Sequence, residues 1–271
     1  MATDTDPLYF DWPSDICASC AGDVSSEAFD AIRSGVGALA TTRHGGISDP
    51  PFNEFNLGFG ADDPEAAREN RRRLGELAGD DVEFCWLRQV HGVEVADADD
   101  VVDATEPVEA DACISRTPGR ACTVLTADCL PVLFADRSAT VVAAAHAGWR
   151  GLAAGVLEAT ITAMSRPPSE IVAWFGAAIG PDVFEVGDDV YQAFTDGDPG
   201  ARIHFEPSPW NPDDRHVADL YGLARRRLRD LGMEAKAIFG RRRCTYTDEE
   251  RFYSYRRDGE TGRMATAIWL R

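Results

Sequence analysis

Three apolar runs in the middle of the chain constrain its fold most. They cover Ala121 to Leu125, Leu130 to Phe134 and Thr140 to Ala145. Each run is short and nearly continuous in apolar residues, which is typical of strands that are buried on both faces. Other strand-like runs alternate irregularly with helical patterns along the chain. This order favours an α+β fold with mixed sheets over a simple doubly wound sheet.

The helical patterns have recognisable ends. Pro64 to Leu77 follows Asp62 and Asp63, either of which can cap a helix, and proline suits the first helical turn. Leu152 to Met164 has apolar residues at helical spacing, and Asp219 to Leu231 is amphipathic with arginines on its outer face. We predict helices over these segments. We also predict a helix over Asp188 to Phe194 and β-structure over Val36 to Thr42, Glu83 to Val90, Ile171 to Phe175 and Met264 to Leu270.

Composition excludes several classes of protein. The 271 residues contain no linker-like segment, so we expect a single domain. Lys+Arg 27 against Asp+Glu 46 gives a net charge of −19, which argues against a nucleic-acid partner. The acidic N-terminus, MATDTDPLYF, lacks the features of a signal peptide, and no apolar stretch reaches the length of a membrane span. We therefore expect a cytoplasmic protein that does not contact a membrane.

A reactive side chain stands at one end of each of three strand-like runs. Cys129 precedes one run in TADCLPVLFAD, His146 closes another in VVAAAHAGWRG, and His91 ends a third in RQVHG. Strand ends can converge on one site, as functional loops on a rigid scaffold commonly do. Two imidazoles and a thiol suit zinc with one coordination position left open. The same atoms also suit a thiol nucleophile with a histidine base, so the residues alone leave both uses open.

The other cysteines point to a reducing compartment. Seven cysteines, an odd number without regular spacing, are best explained as reduced thiols. Cys17 and Cys20 form a lone C-x-x-C, which is a weak motif for metal binding or redox chemistry. Cys113 and Cys122 have apolar neighbours and are expected in the core.

Seven motifs follow one another from Thr41 to the C-terminus: TTRHGGIS with PFNEFNLG, RQVHG, ADACIS, TADCLPVLFAD, AAAHAGWRG, GAAIGPDVFEVG and YSYRRDGETGRMA. This ordered series resembles the YfiH family, which is also called the laccase-domain or polyphenol oxidase family. The resemblance implies a layered α/β/β/α domain over residues 1–271, with residues 1–35 as a poorly matched N-terminal extension. It also implies a zinc ion held by His91, Cys129 and His146.

The resemblance further implies an enzyme for purine nucleosides. The implied reactions are phosphorolysis of adenosine, inosine, guanosine and methylthioadenosine, together with adenosine deamination, by a monomer or small homo-oligomer. A thiol hydrolase or amidase that edits peptidoglycan through Cys129 and His146 is the alternative. A multicopper oxidase needs many imidazoles, whereas this chain has five histidines and no H-x-H pair. A single copper ion at the zinc ligands stays possible, because copper binds such donors tightly.

Phosphorolysis makes demands that the motif residues can meet. Phosphate needs cationic donors, which the guanidinium groups of Arg43, Arg150 and Arg257 can supply. The departing purine needs a proton, and its ribose needs hydrogen-bonding partners. We therefore predict catalytic roles for Cys129, Asp128, Arg43 and His44, and substrate contacts from Asn56, Gln89, Arg150, Glu185 and Arg257.

Overall fold

The computed structural model describes residue 32 and residues 34–271 except positions 61, 62, 80, 105 and 241. Cys17, Cys20, Asp62 and nearly all of the predicted N-terminal extension lie outside the described residues. Within the described part of the chain, no helix is long and apolar enough to cross a lipid bilayer.

Strands and helices alternate irregularly along the chain, as predicted. The strands are β1 (Val36–Ala40), β2 (Glu83–Cys85), β3 (Val95–Asp97), β4 (Ala112–Ser115), β5 (Arg120–Thr126), β6 (Leu130–Asp136), β7 (Val142–Ala147), β8 (Ile171–Phe175), β9 (Glu185–Val186), β10 (Phe205–Pro207), β11 (His216–Ala218), β12 (Ile238–Phe239) and β13 (Met264–Leu270). The α-helices are α1 (Pro64–Ala78), α2 (Ala98–Asp103), α3 (Trp149–Ala154), α4 (Val156–Met164), α5 (Asp188–Thr195), α6 (Leu220–Asp230) and α7 (Tyr255–Asp258).

The strands form mixed sheets, which confirms the predicted fold class. One sheet has the order β12-β8-β6-β7-β4-β3 and a second has the order β1-β13-β5-β2. In the first, β6 is antiparallel to both neighbours, whereas β3 with β4 and β8 with β12 are parallel pairs. A small third sheet has the order β10-β11-β9.

The two large sheets pack face to face between layers of helices. Along β6, Leu133 joins a core cluster with Val124 of the four-stranded sheet, because alternate side chains point to opposite faces. Phe134 points the other way and joins the cluster that contains Leu157 of α4 and residues of α6. On the far side of the four-stranded sheet, Leu74 of α1 packs with residues of β5 and β13. The layers are therefore α/β/β/α.

Several predicted boundaries were wrong. The helix predicted over Leu152 to Met164 is two helices, because Gly155 adopts a left-handed φ of 104° that ends α3 and starts α4. The strand predicted over Glu83 to Val90 stops at Cys85, and β7 extends through His146 to Ala147. His146 thus lies inside a strand instead of after it.

Strand register brings the predicted reactive residues together. Leu130 pairs with Ala147 and Pro131 with His146, so the start of β6 lies beside the end of β7. Cys129, the residue before β6, is therefore a neighbour of His146. On the other side of β7, Ala112 of β4 pairs with Ala145. The amide of His146 donates to the carbonyl of Asp111, the residue before β4.

A buried tyrosine holds the loop that follows β8 against this edge of the sheet. The hydroxyl of Tyr221 in α6 accepts from the amide of Ala178 at 2.9 Å and lies 3.0 Å from the carbonyl oxygens of Gly176 and Arg243. Ile179, in the same loop, donates its amide to the carbonyl of Asp128. The hydroxyl of Tyr221 therefore links α6 to the loop beside Cys129.

Tyr221→Phe should lower the free energy of unfolding by about 1–3 kcal/mol, because it leaves buried backbone groups without their partner. Urea unfolding followed by circular dichroism measures this change. Tyr255→Phe is the matched control, since Tyr255 is 62% exposed and loses only a solvated hydroxyl. Equal stability of the two variants would contradict the role given to Tyr221.

Candidate metal-binding site

The structure brings His91, Cys129 and His146 into one cluster. Their donor atoms all lie within 4.8 Å of one another, and Cys129 Sγ is 3.7 Å from His91 Nε2. A tetrahedral zinc ion with bonds of about 2.3 Å to sulfur and about 2.0 Å to nitrogen separates those two atoms by roughly 3.5 Å. The donor types and spacing therefore suit a tetrahedral ion with three protein ligands. It is the one such group that the described residues form.

Asp111 organises both histidines of the cluster. Its fully buried carboxylate accepts from the consecutive amides of Val90, His91 and Gly92 at 3.0, 2.9 and 2.7 Å. The same carboxylate lies 2.7 Å from Nδ1 of His146. That contact orients the ring and leaves Nε2 of His146 for a metal ion, as outer carboxylates do in other metal sites.

The electrostatics of the cluster favour a thiolate. Burial by itself would raise the pKa of the Cys129 thiol, but the charge of His146 and hydrogen bonds from His146 and His91 lower it below its usual value. Burial would lower the pKa of His146, but Cys129 and Asp111 raise it instead. Burial also opposes the charge on Asp111, yet hydrogen bonds from His146 and from backbone amides lower its pKa. A thiolate is the form of cysteine that binds metals and also the form that attacks electrophiles.

Backbone geometry beside the ligands is unusual. His91 has a φ of 61° and Asp128 a φ of 88°, in the left-handed region that residues other than glycine seldom adopt. Gly148 packs directly against two ligands, because a Cβ there would stand 2.8 Å from Cδ2 of His91 and 2.9 Å from Sγ of Cys129. Strained conformations of this kind cluster at functional sites.

The ligands line a cavity of about 820 Å³. Its wall carries five arginines and only three carboxylates, which is an excess of positive charge in a strongly acidic chain. Two exposed aromatic side chains, Phe59 and Tyr255, also line this cavity. The charged lining residues are Arg88, Arg150, Arg215, Arg256, Arg263, Asp128, Glu185 and Asp189.

Four other residues of the predicted site line this cavity. Two of them use their polar groups to hold its wall. The amide of Gln89 pairs with the backbone of Leu125 through two hydrogen bonds of 2.8 Å. The carboxylate of Asp128 accepts from the hydroxyl of Thr245 at 2.6 Å and from the amide of Arg256 at 2.7 Å.

Arg150 and Glu185 are the predicted residues best placed to meet a ligand. The guanidinium group of Arg150 lies 4.3 Å from the ring centre of Trp149 and forms no ion pair with a described residue. One oxygen of Glu185 accepts from Ser208 at 2.6 Å and from Asn211 at 2.9 Å. These hydrogen bonds lower the pKa of Glu185 and keep it ionised.

The structure places Arg43 and Arg257 away from this cavity. Both line a separate cavity of about 480 Å³. Arg43 donates to the carbonyls of Asn53 and Glu249 at 3.1 and 3.0 Å, and Arg257 donates to three carbonyls and to Asp258. Their guanidinium groups are thus engaged by the protein's own acceptors.

Asn56 and His44 also lie outside the cavity that contains the metal ligands. Asn56 is buried, and its side chain exchanges hydrogen bonds of 3.0 Å with the backbone of Gly58 and accepts from the amide of Arg263. His44 lies 3.9 Å from the carboxylate of Glu54. Arg43 and His44 therefore do not face Cys129, whereas Asn56 lines an adjoining cavity of about 500 Å³.

Four residues of the site are not singled out by the sequence. Asp111 stands in the ADACIS motif, where a lone acidic residue before an apolar strand is the signal that could have revealed it. Arg215, Arg256 and Arg263 join the cavity only through tertiary folding. Arg256 and Arg263 stand in the YSYRRDGETGRMA motif, of which only Arg257 is predicted to contact the substrate.

Comparison with known proteins identifies the family. A family model described as multi-copper polyphenol oxidoreductase laccase matches residues 37–271. The chain belongs to this family. A purine nucleoside phosphorylase of Pseudomonas aeruginosa is 52% identical over 236 residues, which are 87% of this chain and 93% of that protein. The purine nucleoside phosphorylase YfiH of Escherichia coli K12 is 50% identical over 237 residues, which are 87% of this chain and 94% of that protein.

Solved structures of family members have the same fold. A DUF152-family protein of Neisseria meningitidis is 46% identical with a TM-score of 0.82, over 87% of this chain and 94% of its own. YlmD of Geobacillus stearothermophilus is 32% identical with a TM-score of 0.80, over 88% of this chain and 93% of its own. The family description mentions several copper ions, whereas the described residues form a single three-donor group.

Asp111→Asn should weaken zinc binding by about 10- to 100-fold, because it removes the charge that orients the histidine ligands. Competition with a chromophoric zinc chelator measures the affinity. Asp136→Asn is the matched control: Asp136 is equally buried and accepts from the backbone of Thr140 and Val141, but it lies at the far end of β6. Unchanged zinc affinity in Asp111→Asn would contradict the positioning role given to Asp111.

Proposed function

We propose that this protein is a zinc-dependent purine nucleoside phosphorylase that accepts adenosine, inosine, guanosine and methylthioadenosine and also deaminates adenosine. The observation that carries the proposal is the opening of a His-Cys-His ligand set into an arginine-lined cavity. Relatives that are 52% and 50% identical over most of their length are named purine nucleoside phosphorylases, which supports the substrate class.

His91, Cys129 and His146 would hold the metal ion and supply three of its ligands. Asp111 orients the ring of His146 and accepts from the backbone amide of His91, and the two histidines lower the pKa of the Cys129 thiol. A zinc ion held there would supply Lewis-acid chemistry, which lowers the pKa of a bound water molecule. A single copper ion at the same three donors is the other metal that this site would accept.

The arginines of the cavity would bind the phosphate co-substrate. In phosphorolysis, a phosphate oxygen forms a bond to the ribose carbon C1′, and the C1′–N9 bond breaks with its electron pair leaving on the purine. Arg150 has a guanidinium group that no described carboxylate neutralises, and Arg215 and Arg256 line the same cavity. Guanidinium groups bind phosphate oxygens in pairs and stabilise charge in a site of limited water access.

A carboxylate of the cavity would bind the ribose. Glu185 is kept ionised by Ser208 and Asn211, so it can accept hydrogen bonds from ribose hydroxyls. Asp128 is tied to Thr245 and to the backbone of Arg256, which suits a residue that positions the Cys129 loop. Its predicted part in proton transfer, and the predicted catalytic roles of Arg43 and His44, stay proposals.

Purified protein should release purine base from inosine, adenosine and guanosine only when phosphate is present, with ribose 1-phosphate as the second product. Base release should fall after chelation and return when zinc is added, because the ligand set is part of the site. Cys129→Ala should stay folded and lose most of its bound metal. Turnover that is equal with and without phosphate would contradict the proposal.

A thiol hydrolase is the second candidate, and one observation favours it. Asp111 lies 2.7 Å from Nδ1 of His146, and a ring nitrogen of His146 lies within 4.8 Å of Cys129 Sγ, in the order of an orienting acid, a base and a nucleophile. The imidazole of His91 only 3.7 Å from the sulfur favours the metal site, because a nucleophile needs one base and not two. Amidase activity that survives chelation and is lost on thiol alkylation would favour the hydrolase.

Arg150→Gln should raise the KM for phosphate about tenfold or more while changing the KM for inosine little, because it removes a charge-assisted hydrogen bond to the anion. Initial rates over a phosphate series measure this. Arg229→Gln, an exposed arginine of α6 outside the cavity, is the control. If Arg43→Gln and not Arg150→Gln shifts the phosphate KM, phosphate binds at Arg43 and not in this cavity.

A further inference from the structure

We infer that the purine base is bound in a second cavity beside the metal-ligand cavity, stacked against Phe59 and Tyr255 with its edge read by Thr261. This inference rests on the proposed function, because it assigns one part of the same substrate. It gives a binding role to residues that the ligand set does not include.

The second cavity adjoins the first. It has a volume of about 500 Å³, and the two cavities share Gly58, Phe59, Tyr255 and Arg263 in their walls. A nucleoside consists of a base and a sugar joined by one bond, so it needs two adjoining compartments. The metal ligands and most of the arginines lie in the first cavity, which leaves the second for the base.

Two aromatic side chains stand at the junction and are unusually exposed. Phe59 is 52% exposed and Tyr255 is 62% exposed. Phe59 is nevertheless held in place, because the guanidinium group of Arg71 lies 4.1 Å from its ring centre and 3.8 Å from that of Trp86. The guanidinium of Arg71 is anchored in turn by a 2.9 Å hydrogen bond from Nε to a backbone carbonyl. A fixed, exposed ring is a platform on which a flat base can stack.

Thr261 lines the second cavity and has a buried hydroxyl that finds no partner among the described residues. Thr261 is 6% exposed, and its Oγ1 is buried with no hydrogen-bond partner in the described part of the chain. A buried polar atom without a partner is costly, so a ligand that completes its hydrogen bonding is favoured. A threonine hydroxyl can donate to the oxygen of a 6-oxopurine or accept from the amino group of a 6-aminopurine. Thr261 therefore suits both inosine and adenosine.

Arg263 connects the two compartments. Its guanidinium group donates to the carbonyls of Thr261 at 2.7 Å and Gly262 at 3.0 Å. Arg263 lines both cavities, and the first of them also contains Cys129 and Asp128. A base held beside Thr261 thus directs its sugar toward the cavity with Cys129.

Binding of free hypoxanthine and adenine, measured by isothermal titration calorimetry on the zinc-loaded protein, tests the inference. Tyr255→Leu and Phe59→Leu should each weaken binding of both bases about tenfold, the loss expected when a stacking partner is removed. Thr261→Val should weaken both bases by a similar factor, and Tyr255→Phe should bind like the wild type. Zinc content should not change in any variant.

Matched controls are an exposed aromatic and a threonine outside both cavities. Trp210→Leu removes a 58% exposed ring, and Thr162→Val removes a hydroxyl on α4; neither should change base binding. If the wild type binds the bases and the variants bind as tightly, or if the wild type binds neither base, the inference is overturned. Base binding with the expected variant pattern, but without phosphorolysis by the wild type, would support this subsite while refuting the proposed reaction.

Discussion

The buried carboxylate of Asp111 is the interaction on which the rest of the site depends. It joins three parts of the chain that are far apart in sequence: the turn at residues 90–92, the start of β4 and the end of β7. A buried charge is tolerated only when hydrogen bonds satisfy it, and here three amides and an imidazole do so. Because those same groups belong to the two histidine ligands or their neighbours, the requirement that stabilises Asp111 also sets the geometry of His91 and His146.

The charge of the molecule is arranged so that global and local fields differ. The net charge of −19 repels long polyanions, but salt screens that field beyond about 10 Å. Within the cavity, arginines outnumber carboxylates, so a small anion that enters meets a positive wall. The same chain can therefore repel long polyanions and still attract a small anion into the cavity. Arginine suits this task better than lysine, because its planar group holds two oxygens at once.

The ligands could be predicted from the sequence because each one ends or begins an apolar run, and strand ends meet at a common edge. Which ligands lie side by side depends on strand register. Pro131 pairs with His146, and this places Cys129 beside His146. Asp111 could not be predicted in the same way, because its role lies in three backbone amides of a distant turn. Arg43 illustrates the opposite problem: it belongs to a recognisable motif, but its guanidinium group is taken up by the carbonyls of Asn53 and Glu249.

Strained backbone conformations occur where the ligands converge. His91 and Asp128 hold left-handed backbone conformations, and Gly148 leaves no space for a side chain beside His91 and Cys129. Such costs of about 1–3 kcal/mol for each strained residue persist only where the surroundings enforce them. Here the enforcing groups are the amide contacts of Asp111 and the hydrogen bonds of Asp128 to Thr245 and Arg256. The donor atoms are therefore positioned by the fold itself, in the wall of the arginine-lined cavity.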